Sequence, residues 1–261
     1  GANLLSALGD QGGFRHATFA ASPTLANHFT HATTNTSLDF AELSPSLIAR
    51  VHWGPPRGSY SLDGGGTWTD FATAPSEALA PYPNGGPNGI AVSPDGSTFV
   101  WWPKNSAPYY SLNRGASWTA SAAGTPREPN SWQVMWPVAD RVNSDKFYIY
   151  HVIEGRVYVS ANGGASWAPT ATPGPDGTLS RAAPGREAHL WLPLQWNGFF
   201  RSTDSGQTFQ RVNSVQEGYQ VGFGRSASGT GYPALFLWGR VNNVTGLFRS
   251  DDEGATWLRV Y

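Results

Sequence analysis

The sequence contains no cysteine, which excludes disulfides, thiolate metal sites and a cysteine nucleophile. Charge is also scarce. Asp, Glu, Lys and Arg make up 13% of the 261 residues and the net charge is -1, about half the usual charged share. No basic field therefore exists to hold nucleic acid or an anionic membrane. No apolar run approaches the ~18 residues of a membrane span, and no signal peptide is present. The start of the sequence is consistent with a removed leader. The six histidines are scattered without metal-ligand spacing. Phosphate loops, nucleophile elbows and dinucleotide motifs are missing as well. No metal and no cofactor are expected.

What the chain has instead is Gly (31), Pro (20) and Trp (12). Gly and Pro mark many turns. So much Trp exceeds what a β core of this size needs. Two triplets, Asn35-Thr36-Ser37 and Asn243-Val244-Thr245, fit glycosylation acceptors of a secreted protein.

One motif repeats. SLDGGGTW (61–68), SLNRGASW (111–118), SANGGASW (160–167), STDSGQTF (202–209) and SDDEGATW (250–257) all read S-x-[DN]-x-G-x-[ST]-[WF]. Their starts lie 50, 49, 42 and 48 residues apart, the length of one four-stranded propeller blade. The Asp or Asn can bond nearby backbone N–H groups and Gly supplies positive φ, so each motif is a tight hairpin. A calcium loop does not fit: counting from Asp63, the twelfth position is Ala74, where an EF-hand needs Glu. Around each box the same four short strands recur, rich in aromatic and β-branched residues. The first set is SLDFAELSP, LIARVHW, GSYSLDG and TWTDFA.

The fold class expected is all-β, an Asp-box β-propeller in a single domain over 1–261. Five complete blades run from about residue 37 to 261, and 1–36 form a partial blade. NLLSALGD and GGFRHATF read as the second and third strands of that partial blade, giving six positions around the ring. Five blades with an N-terminal flap is the second choice.

Repetition allows a topological inference. The turn between the second and third strands of a blade and the link to the next blade lie on one face, and the box lies on the other. On the first face the partial blade offers Asp10, with Arg15 and His16 just after. The full blades offer His52 and Trp53; Trp101, Trp102 and Lys104; His151 and Glu154; Gln195 and Trp196; Trp238 and Arg240. Links between blades add Tyr82, Glu128, Trp132, Glu217 and Tyr219. Large aromatic faces stack on the C–H faces of sugar rings, so a glycan groove is expected. The box residues Trp68, Trp118, Trp167 and Trp257 are expected to pack between blades.

GANLLSALGDQGGFRH, SLDFAELSPSLIARV, GFFRSTDSGQTF and VNNVTGLFRSDDEGATW resemble part of the second propeller of glycoside hydrolase family 74, the xyloglucanases. The resemblance covers almost the whole chain in the same order. It implies two propellers with substrate in the cleft between them and inverting cleavage of β-1,4-glucans, commonly xyloglucan. It also implies one catalytic Asp from each propeller. The Asp of the family's GD-x-GGF motif, its general acid, matches Asp10. The departures are a first propeller with its base, which the resemblance does not reach, and Ala17-Thr18 in place of an acidic pair.

The expected function is thus a secreted, polysaccharide-active glycoside hydrolase of the endo-glucanase or xyloglucanase type, with Asp10 as general acid. Inversion needs acid and base carboxyls roughly 6.5–9.5 Å apart. The candidates for base are Glu154, Glu128 and Glu217, and a partner domain or second copy of the chain is another source. Arg15, His16, His52, Trp53, Trp101, Trp102, Trp132, His151, Trp196, Trp238 and Arg240 are the expected substrate-binding residues. The alternatives are a non-catalytic, lectin-like propeller and a polysaccharide lyase using His16, His52 or His151 as base. A protein-binding propeller of the sortilin kind ranks below these.

Overall fold

The computed structural model describes residues 4–18, 20–30, 33–129, 135–178, 180–227 and 231–261. The described elements are almost all short strands. They begin with a hairpin of β1 (Leu4–Leu8) and β2 (Gly12–His16). Five four-stranded antiparallel sheets follow, each with its strands in chain order. The first is β3 (Asn35–Ala41), β4 (Ser44–His52), β5 (Gly58–Ser61) and β6 (Thr69–Asp70). The second is β7 (Gly89–Val92), β8 (Phe99–Trp102), β9 (Tyr109–Ser111) and β10 (Thr119–Ala120). The third is β11 (Pro137–Ala139), β12 (Phe147–His151), β13 (Arg156–Ser160) and β14 (Ala168–Pro169). The fourth is β15 (Arg181–Ala182), β16 (Leu190–Pro193), β17 (Phe199–Ser202) and β18 (Gln210–Arg211). The fifth is β19 (Val215–Gly224), β20 (Ala234–Val241), β21 (Val244–Ser250) and β22 (Leu258–Arg259). One helical turn, α1 (Ser76–Leu79), links the first two sheets. Among the described residues no helix is long and apolar enough to cross a membrane.

The chain divides into two compact units. One holds the hairpin, the first two sheets and the box of the third (Gly1–Trp132, Ser144–Phe147, Ser160–Trp167). The other holds the rest of the third sheet and the last two (Gln133–Asn143, Tyr148–Val159, Ala168–Tyr261). Each has its own core. In the first, Leu47, Val51, Phe71, Ile90, Phe99 and Trp101 cluster. In the second, Trp191, Phe199, Val221, Leu235, Leu237 and Phe248 do so. Fully burying such side chains stabilises the fold by about 1.5–3 kcal/mol each.

The boxes are built alike. In the first, the Ser61 hydroxyl donates to Asp63 Oδ1 (2.8 Å) and accepts the Gly65 N–H (2.8 Å). Asp63 also accepts the Thr67 N–H (2.8 Å) and the Thr67 hydroxyl (2.8 Å). Ser111, Asn113 and Ser117 repeat the pattern, as do Ser202, Asp204 and Thr208. The Thr67 backbone N–H is the main reason the Asp63 carboxyl titrates low, at about 2. The box aromatics reach back as expected. Trp118 donates to the Thr73 carbonyl (3.1 Å) and packs edge-on against Phe71 and Trp101. Trp167 donates to the Ser121 hydroxyl (3.2 Å). Gly115 sits at φ +79, and a Cβ there would lie 2.3 Å from Phe71 Cδ1. The box therefore tolerates only Gly where it docks on the preceding sheet.

Candidate functional site

In the first unit, the β1–β2 pairing closes at Leu8 and Gly12. That leaves Gly9, Asp10 and Gln11 in the turn. Asp10 is exposed and adopts φ 60, a left-handed conformation that Asp tolerates better than most residues. The second of the two glycines after it, Gly13, has a steric purpose. A Cβ on Gly13 would lie 2.0 Å from the Ser6 carbonyl oxygen and 2.8 Å from the Phe29 ring. Phe29 in turn donates its N–H to the Gly13 carbonyl (2.9 Å). The motif GD-x-GG thus allows the segment before β3 to lie close against the hairpin.

That segment carries Thr34. Its hydroxyl accepts the Asp10 N–H (2.9 Å) and donates to Asp10 Oδ1 (3.0 Å). Its carbonyl accepts the Trp53 N–H (3.0 Å). Asp10 is therefore coupled to the β4–β5 turn, where Trp53 and Arg57 sit. Arg57 lies 5.3 Å over the Trp53 ring, and Tyr82 meets that ring edge-on at 6.5 Å. Lys104 lies 5.7 Å over the Tyr82 ring. Tyr82 is 49% exposed. Trp53, Arg57, Tyr82 and Lys104 thus form one run of ring and cation contacts, linked to Asp10 through Thr34.

The second unit carries two groupings. In one, Tyr158 donates its hydroxyl to Glu154 Oε2 (2.5 Å), and the Glu154 N–H donates to His151 Nδ1 (3.3 Å). Partial burial, and then Glu154 itself, push the Tyr158 phenol up to about 12. In the other, the turn after β16 is pinned to β19 by Gln195 N–H to the Gly218 carbonyl (2.8 Å) and the reciprocal bond (2.9 Å). The pinning holds Trp196 at 68% exposure, edge-on to Tyr219 at 6.2 Å. Tyr219 donates to Glu217 Oε2 (2.6 Å), and Glu217 Oε1 pairs with Arg240 (2.7 Å). Trp238 is 42% exposed on the same strand face as Arg240.

Several expected surface residues are not at the surface. Trp101, Trp102 and His52 have no exposed area. The run FVWW of β8 is buried on both faces, so alternation gives neither indole an outward side. Both indole N–H groups are satisfied internally, Trp101 by the Pro87 carbonyl (2.5 Å) and Trp102 by that of Ser106 (2.9 Å). Glu128 is buried as well, with Oε2 accepting the Asn105 N–H (2.6 Å). It braces the β8–β9 turn. His151 is nearly buried, leaving Glu154 as the accessible member of its pair. Arg15 and His16 lie at the far end of β2 from Asp10, ~13 Å away along a strand. Arg15 reaches the first box beside Gly66, and His16 bonds Ser6 Oγ (2.9 Å). Trp132 lies outside the described residues. The residues that sequence reasoning missed are Thr34, Arg57 and Tyr158. Thr34 is a single polar residue in a linker and carries no motif signal.

No family model matches the sequence. A xyloglucanase of Paenibacillus sp is 36% identical over the whole chain, which spans 25% of that protein. Xyloglucanase Xgh74A of Acetivibrio thermocellus is 35% identical, again over the whole chain and 30% of its own length. The crystal structure of a Niastella koreensis GH74 enzyme superposes with a TM-score of 0.85 at 35% identity, covering all of this chain and 36% of that one. The chain is related throughout to one part of a glycoside hydrolase family 74 enzyme. It spans about a quarter to a third of the length of these relatives. The fold class of this GH74-related chain is the Asp-box β-propeller, with five complete four-stranded blades and a partial N-terminal one.

Proposed function

We propose that the chain is the acid-bearing part of a secreted polysaccharide hydrolase that cleaves β-1,4-glucans of the xyloglucan type with inversion. The observation that carries this is Asp10. It is an exposed carboxyl held at two points by Thr34, whose carbonyl in turn accepts the Trp53 N–H. The xyloglucanase names of the relatives support the substrate class. Protonated Asp10 gives its proton to the glycosidic oxygen as the C1–O bond breaks. Water attacks C1 from the opposite face and loses its proton to a carboxylate base. That base comes from a partner domain or a second copy of the chain. Glu128 is buried, Glu217 is paired with Arg240 and accepts the Tyr219 hydroxyl, and Glu154 accepts the Tyr158 hydroxyl.

The test is release of reducing ends from xyloglucan, mixed-linkage β-glucan and uronic-acid gums. Asp10→Asn is expected to lose turnover by a factor on the order of 10²–10⁴ while melting as the wild type does. Full activity in that variant removes Asp10 from the mechanism. Glu154→Gln and Glu217→Gln are expected to stay active, and loss in either would bring the base back into this chain. A lectin-like reading has its own support in the exposed Trp196. It predicts retention on one glycan with no new ends.

A further inference from the structure

We infer that Thr34 is the positioning residue for Asp10, and that it leaves Oδ2 as the oxygen from which the proton is given. This rests on the reading of Asp10 as general acid. An exposed side chain on a hairpin turn has free rotamers, and a general acid must hold its proton in line with the leaving oxygen. Thr34 removes that freedom. One hydroxyl accepts the Asp10 N–H (2.9 Å) and donates its only proton to Oδ1 (3.0 Å). Oδ1 is thereby an acceptor, and the acidic proton of Asp10 sits on Oδ2. No hydrogen bond from the described residues reaches Oδ2 of this exposed residue.

Thr34 is itself anchored on both sides. Its carbonyl accepts the Trp53 N–H, and the adjacent Asn35 side-chain amide donates to the Gly12 carbonyl. Upstream, Thr30 is gripped by Arg50, whose Nη2 donates to the Thr30 carbonyl (2.6 Å) and hydroxyl (3.2 Å). Arg50 is wholly buried, 4.2 Å over Trp68 and 5.0 Å from the Phe29 ring centre. Burial lowers its pKa to about 10, so the grip stays charged at neutral pH. Thr34 is thus held through its own carbonyl and through Asn35, independently of its bonds to Asp10.

The experiment compares Thr34→Val, Thr34→Ala and Thr34→Ser with wild type in the full chain. It reads kcat and KM on the best glycan of the panel, hydrogen exchange of the Asp10 amide, and melting. Val and Ala are expected to lower kcat on the order of 10- to 100-fold with KM within about twofold. Both should speed exchange at the Asp10 amide. Ser should restore kcat to within about threefold of wild type and restore protection. Wild-type kcat in both Val and Ala overturns the inference, as does a Ser variant as slow as Val. A wild type that cuts no glycan, alone or as a dimer, counts against the reading of Asp10 as acid in this chain; the Thr34 contact is then judged by exchange alone, and Asp10 amide protection unchanged in Val and Ala overturns it.

Discussion

The two ends of each sheet obey different rules. At the box end, all five sheets repeat one construction, a serine hydroxyl, an Asp or Asn and a glycine closing on the preceding sheet. At the other end, every β-turn between second and third strands is different. One presents Trp53 and Arg57, another a buried brace of Glu128, another Glu154 with Tyr158, another an exposed Trp196. The box end maintains the spacing of the sheets. The opposite end varies from sheet to sheet, and loops on a rigid scaffold are where chemistry collects.

Substitutions at the two ends should therefore separate activity from stability. The largest effect is expected from Asp10→Asn, a loss of activity with unchanged melting, as stated above. Next is Gly115→Ala at the box end. Its positive φ and the 2.3 Å approach to Phe71 predict a destabilisation of about 2–4 kcal/mol. Thermal melting should show this as a drop of several degrees without a change in the kcat of the folded fraction. A variant that melts normally would mean that the box does not set the spacing. Trp196→Ala should be smaller and opposite in kind: roughly tenfold weaker retention on glycan, about 1.4 kcal/mol, with little change in melting because the ring is mostly exposed. Affinity electrophoresis in xyloglucan gels checks it, and unchanged migration would remove Trp196 from the binding surface.

The smallest effect concerns Asp63. Its folded pKa lies below the ordinary value, at about 2 against 3.8. The stabilisation it gives is therefore present above the unfolded pKa and lost as pH falls through about 2. Asp63→Asn should melt slightly below wild type at pH 7, with the difference closing between about pH 4 and pH 2. Asn already serves in the boxes at Asn113 and Asn162, so the variant should fold. A gap that persists at pH 2 would assign the effect to geometry rather than charge.

Legibility in the sequence followed the same division. The strands and boxes could be read because each repeats five times and each rests on local chemistry, hydroxyl and carboxylate oxygens meeting N–H groups a few residues away. The turn that carries Asp10 could be read because GD-x-GGF is a local motif whose second glycine has a steric reason. The turns were read only as positions. Trp101 and Trp102 occupy one end of β8 as expected, yet both are buried, since four consecutive apolar residues carry no alternation to tell inside from outside. Glu128 was placed in the right link, but its carboxylate points inward to the Asn105 N–H. Thr34 was invisible because nothing near it in sequence announces a partner 24 residues away.

What the sequence determined by itself was the repeating unit, the number of sheets and the relationship to family 74, because these depend on short-range bonding and on the order of motifs. What only the tertiary structure decided was which side chains face water and which groups hold Asp10. Those outcomes depend on how sheets cover one another and how a linker lies across a hairpin, and contacts between distant segments leave no period in the chain that makes them.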